Sequence, residues 1–121
     1  MLDKTKSRYI LYTEREENMT HAEAVQMVKG ISYRTRRKVG NNTYAEILHD
    51  GSVGITLHST IVVRIHADGT YTLSNGGWQT ATTKDRINQY SPYKVYQRNH
   101  TWYVHKGEQV FPFYSGMVIG E

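Results

Sequence analysis

Cysteine is missing from these 121 residues. That absence removes disulfides, thiolate metal sites and cysteine nucleophiles. Long apolar runs are missing too: no stretch approaches the roughly 18–20 residues that a membrane helix needs, so no membrane partner is expected. The opening residues, MLDKTKSRYILY, lack the apolar region and cleavage site of a secretory signal. The expected compartment is therefore the cytoplasm. Catalytic signatures are absent as well. Gly76-Gly77 lacks the Lys-Ser/Thr ending of a phosphate loop and reads as a hairpin or bulge. No nucleophile elbow is present, and the six His show no zinc spacing with a neighbouring carboxylate. Four acids, Asp50, Asp68, Asp85 and Glu108, fall in turns or at a helix start, where Asx-turns and helix dipoles already account for them. These observations point to a protein that is not an enzyme and carries no cofactor.

Tyrosine and positive charge are abundant instead. The chain holds ten Tyr against two Phe and two Trp, and its formal net charge is +4. Residues 1–28 carry a net −1 and residues 29–121 a net +5. The densest basic segment is Lys29 to Lys38, with Arg34, Arg36 and Arg37 between them and no acid. A polyanion is a fair partner for such a patch; the competing reading is a solvated, soluble edge, since a net charge of +4 is ordinary for a small domain.

The length corresponds to one domain spanning 1–121. Residues 1–18 read as an extended arm with one apolar cluster, Tyr9 to Tyr12. Thr20-His21-Ala22-Glu23 has the form of a capping box, and Ala22, Val25 and Val28 give one apolar helical face. With Gly30 placed as a C-terminal cap, the pattern predicts a helix over about 20–29. From Ile31 the period becomes two, which predicts a basic strand over 31–38. The turn signals Gly40-Asn41-Asn42, Asp50-Gly51, Ser59-Thr60, Asp68-Gly69 and Asn75-Gly76-Gly77 then separate runs of strand-like residues, the mark of an antiparallel meander. Thr82 or Thr83 is expected to cap a second short helix over about 82–90, with Asp85 in its first turn and Ile87 buried. Strands over 93–98, 101–105 and 110–114 end the chain, and Pro112 requires the last of them to be an edge or to break there. The fold class is thus α+β, mainly β, with five to eight strands in an antiparallel sheet.

Basic residues interleave with aromatics at Tyr33-Arg34-Thr35-Arg36, at Lys94-Val95-Tyr96-Gln97-Arg98 and at Trp102-Tyr103. Sheet surfaces of this kind bind nucleic acid by stacking and phosphate contacts. The competing explanation is that alternate Tyr cover a small core. Arg34, Arg36, Arg37 and Lys38 are the leading binding candidates. Lys84 and Arg86, near the start of the second helix, follow, and Trp78 is either core or a stacking platform.

From Asn41 onward the chain resembles a group of small proteins from bacteriophages, prophages and bacterial genomes. The pieces that carry the resemblance are NTYAEILHDGSVGITLHSTIVV (42–63), ADGTYTLSNGGWQTATTKDRIN (67–88) and the TWYV…FYSGMVI tail (101–119); GGWQTATTKDRIN is the most specific. The first forty residues lie outside that pattern. The resemblance implies a phage-encoded accessory protein in the bacterial host cell, of the kind that binds a host protein or nucleoprotein complex and blocks a nucleic-acid-handling defence, as anti-CRISPR proteins do. The alternatives are direct, non-specific binding of DNA or RNA, and a structural virion or homo-oligomerising module.

Overall fold

A computed structural model describes residues 19–30 and 32–120, so the predicted arm over 1–18 and the strand start at Ile31 lie outside the described residues. Helix α1 spans His21–Lys29. Its capping box forms as the sequence requires: the Glu23 amide donates to the Thr20 hydroxyl, and the Thr20 amide donates to the Glu23 carboxylate. Ala24 and Val28 are its buried residues, and Gly30 ends it at φ 58°.

Strands β1 (Arg36–Gly40), β2 (Thr43–Ile47), β3 (Val53–Leu57), β4 (Thr60–Ile65) and β5 (Tyr71–Leu73) form the expected meander. The Asp-Gly turns carry Asx-turn bonds, from the Ser52 amide to Asp50 and from the Thr70 amide to Asp68, both 2.9 Å. Hydrogen bonding to the ionised form holds both carboxyls below the ordinary 3.8, with the Ser52 and Thr70 side chains as the largest cause. Helix α2 (Ala81–Tyr90) follows, then β6 (Lys94–Arg98), β7 (Thr101–Lys106), β8 (Gln109–Pro112) and β9 (Met117–Ile119).

Two antiparallel sheets result, not one. Their strand orders are β1-β2-β3-β4-β5-β9 and β6-β7-β8. Strand β9, which local patterning does not reveal, crosses back to pair with β5, with Leu73 opposite Met117 and Tyr71 opposite Ile119. Both Val62 and Val63 are buried because a bulge inserts Val62 into β4 opposite the Ile55–Thr56 step of β3. One core joins the helices and both sheets. Ile55, Val63, Ile65 and Leu73 come from the large sheet, Val95, Trp102 and Val104 from the small one, and Ile87 from α2. The rings of Tyr71 and Tyr93 meet edge to face at 5.6 Å across the two units. Strand β8 is an edge of its sheet, and Pro112 stands where its missing amide would face away from β7; the pairing continues past it, with the Phe113 amide donating to the Trp102 carbonyl at 3.0 Å. No helix among the described residues is long and apolar enough to cross a membrane.

Three local expectations need correction. Among the described residues the basic strand begins only at Arg36, because Ser32 and Arg34 turn back onto α1. Tyr33, read as strand cover, is 97% exposed. The cap of α2 is Thr80, whose hydroxyl accepts from the Thr83 amide at 3.1 Å; that frame leaves Asp85 outside the first turn.

Candidate functional site

The seven candidate residues fall in three separate places. The basic segment divides its work between α1 and the sheet edge. Arg34 Nε donates to the Val28 carbonyl at 2.8 Å, and Arg37 donates to the Met27 carbonyl at 3.0 Å. Carbonyls of the last helical turn lack partners within the helix and attract cations, so both guanidiniums act as C-terminal caps. Arg36 lies 3.9 Å from the centre of the Tyr44 ring, a cation–π contact. Lys38 stays exposed on β1, which is an edge strand. Charge on such an edge also deters pairing with another chain.

Lys84 lies elsewhere. Its ammonium donates to Gln97 at 2.9 Å and sits 5.3 Å from the Trp102 ring, tying α2 to the small sheet. The Trp102 indole N–H is buried without an acceptor.

Trp78 and Arg86 do converge. They line a groove of about 520 Å³ at one end of the large sheet. Its walls come from the β1–β2 turn (Asn41, Asn42), the β3–β4 turn (His58, Ser59) and the N-terminus of α2 (Thr80, Thr82). The hairpin register explains why distant residues meet. Thr43 pairs with Leu57, so the turn residues Asn42 and His58 are neighbours, and the His58 amide donates to the Asn42 carbonyl at 2.8 Å. Both adopt positive φ, 52° and 57°, a conformation in which Asn and His are enriched. Asp50 and Asp68 sit at the opposite end of the same strands.

Arg86 is held firmly in its wall. It donates to the Thr43 hydroxyl at 2.8 Å and to the Asn41 carbonyl at 3.4 Å, and it pairs with Asp85 at 2.8 Å. A guanidinium has five N–H donors, so donors remain for a ligand. The loop before α2 is equally constrained. Ser115 Oγ accepts from the Asn75 and Gly76 amides, the Asn75 side chain accepts from the Gly77 amide, and the Trp78 amide returns to the Asn75 carbonyl at 2.8 Å. Gly76 sits at φ 60°, and a Cβ there would lie 2.7 Å from the Thr60 methyl. Only glycine permits this approach. The rigid loop thrusts Trp78 outward, 64% exposed.

Among the described residues no carboxylate lines the groove, and no cluster of three or more His, Asp or Glu could hold a metal. The chemistry present is recognition: a flat aromatic surface, one fixed cation, an imidazole, amides and hydroxyls. Sequence reasoning singled out Trp78 and Arg86 but missed Asn41, Asn42, His58 and Thr80. Hairpin arithmetic, which puts the β1–β2 and β3–β4 turns at one end of the sheet, was the available signal.

Residues 19–120 match the family described as Kyanoviridae Gp96 protein, and the chain belongs to that phage protein family. The match takes in α1 and the basic segment as well as the meander. No curated protein and no solved structure matches the chain.

Proposed function

We propose that this member of the Kyanoviridae Gp96 family is a non-enzymatic binding protein. It attaches to a host protein or nucleoprotein complex through the Trp78 groove and inhibits a nucleic-acid-handling defence. The observation that carries the reading is Trp78: a 64% exposed indole on a loop that four backbone bonds hold rigid. Single exposed rings are ordinary on a protein surface, but this one is held on a constrained loop at the rim of a groove. Tryptophans with arginine neighbours, held ready for contact, anchor protein interfaces, and preorganisation lowers the entropy lost on binding. The adjacent groove offers polar groups for a partner's side chain. Catalysis is not favoured, because acid–base chemistry needs two titratable groups converging in one cleft and the groove lining offers only His58 beside a paired Arg86.

Arg34 and Arg37 are not part of the contact in this reading, because their guanidiniums already serve α1. The test is affinity capture from host lysate with the wild-type chain, Trp78→Ser and the double variant Arg36→Glu/Lys38→Glu. The expected result is stoichiometric recovery of one complex, lost with Trp78→Ser and retained with the charge reversals. Equal recovery by Trp78→Ser would overturn the groove as the contact.

A further inference from the structure

The side chains left free in the Trp78 groove share one chemistry. Asn41 and Asn42 in the β1–β2 turn, His58 and Ser59 in the β3–β4 turn and Thr82 at the start of α2 line it and are exposed. Among the described residues none of these five side chains makes a hydrogen bond. Amides and hydroxyls, like an imidazole in its neutral form, each carry donor and acceptor capacity together. Their places are fixed as well. Asn42 and His58 sit at φ 52° and 57°, and the His58 amide donates to the Asn42 carbonyl at 2.8 Å. That bond locks the two turns to each other, so their side chains start from set positions.

The charge of Arg86 is already matched. It pairs with Asp85 at 2.8 Å and also donates to Thr43 and Asn41. Nucleic acid draws much of its affinity from phosphates that meet unmatched cations. A phosphate also brings only acceptors, against which the carbonyl oxygens of Asn41 and Asn42 would have no donor. A peptide backbone suits the free groups better, because each non-proline residue brings one donor and one acceptor. The segment has to be extended, since a helix spends those groups internally. Trp78 supplies the apolar part of the site, a ring 64% exposed beside these polar groups. Such a flat face takes up apolar and proline side chains. The groove volume of about 520 Å³ lies within the range of about 300–1,000 Å³ usual for ligand sites.

We propose that the groove takes an uncharged, extended peptide segment of the partner, with an apolar or proline side chain packed on Trp78 and main-chain groups bonded to Asn42, His58 and Thr82. The proposal rests on the reading of the Trp78 groove as the contact and names what that contact holds. Where the partner is a nucleoprotein complex, the part recognised is its protein.

The experiment is selection from a displayed library of random linear peptides on the purified chain, with Trp78→Ser as the counter-selection. Fluorescence anisotropy of the selected peptides, labelled with fluorescein, follows, with labelled oligothymidylate and oligouridylate titrated in parallel. The selected peptides should share an apolar or proline residue between uncharged neighbours. They should bind equally well at low and high salt, because no ion pair is involved. Trp78→Ser should weaken them by at least about tenfold. Asn42→Gly, which accepts the positive φ of the turn and removes the side-chain amide, should weaken them about two- to tenfold. The near-ultraviolet signal of the buried Trp102 verifies that each variant is folded. The proposal is overturned if no selected peptide depends on Trp78, if the selected peptides share acidic residues and release with salt, or if an oligonucleotide binds more tightly than they do in a Trp78-dependent manner. Capture of the host complex separates this failure from that of the groove. Capture abolished both by Trp78→Ser and by nuclease overturns the peptide and keeps the groove, whereas capture indifferent to Trp78→Ser overturns both.

Discussion

Replacing Arg34 with Ala tests whether the basic segment is part of the fold. The guanidinium donates to the Val28 carbonyl at 2.8 Å and lies over Gly30, where an added Cβ would approach its Nη2 to 3.0 Å. A hydrogen bond from a charged donor contributes about 1.5–3 kcal/mol when well shielded, and a cation at a helix C-terminus about 0.3–1 kcal/mol. Arg34 remains exposed as a residue, so water replaces part of what is lost and the lower values apply. The expected loss is about 1–1.5 kcal/mol, or roughly 3–6 °C in melting temperature for a domain of this size. Arg37, with one 3.0 Å bond to Met27, should lose somewhat less. Lys38 makes no hydrogen bond or ion pair among the described residues, so Lys38→Ala should stay within about 0.5 kcal/mol of wild type. Urea unfolding followed by circular dichroism measures all three, with the midpoint shifting while the slope stays constant. Faster amide exchange at Gly30, whose N–H closes the helix onto Gln26, should accompany the Arg34 loss. An unchanged midpoint for Arg34→Ala, or an equal loss from Lys38→Ala, would refute the capping role.

Ile87 is fully buried between α2 and the sheets, so Ile87→Ala should lower stability by about 2–5 kcal/mol in the same urea assay. Gly76→Ala forces a Cβ to within 2.7 Å of Thr60 at a positive φ. It should destabilise the chain by about 1–3 kcal/mol and weaken capture of the host complex together with Trp78→Ser. Asp50 and Asp68 have carboxyls held below 3.8. A depressed folded value means that their contribution is complete above 3.8 and disappears as the pH falls through the folded value. Thermal melts from pH 7 down to about 2 should therefore show the double variant Asp50→Asn/Asp68→Asn losing less stability in acid than wild type does.

Local chemistry was legible wherever neighbours in sequence are neighbours in space. The capping box at Thr20 and Glu23, the Asp-Gly turns and the Pro112 edge all depend on contacts within a few residues. The strand predicted from Ile31 failed because alternation of Tyr33 and Thr35 with Arg34 and Arg36 looks extended. The winning interaction, from Arg34 to Val28, belongs to the preceding helix. Strand β9 was illegible because its partner β5 lies more than forty residues earlier in the chain, and three residues carry no period. The division into two sheets follows from α2, which separates β5 from β6. At the site, Trp78 was visible as a residue of two possible roles, and only the Ser115 and Asn75 bonds decide that it faces outward.

The most direct measurement is a titration of the captured host complex with wild-type chain and with Trp78→Ser, both verified as folded by the near-ultraviolet signal of the buried Trp102. An anchor of this kind contributes about 2 kcal/mol or more, so the variant should bind at least thirtyfold more weakly. Indistinguishable affinities would contradict the assignment of the Trp78 groove as the working surface.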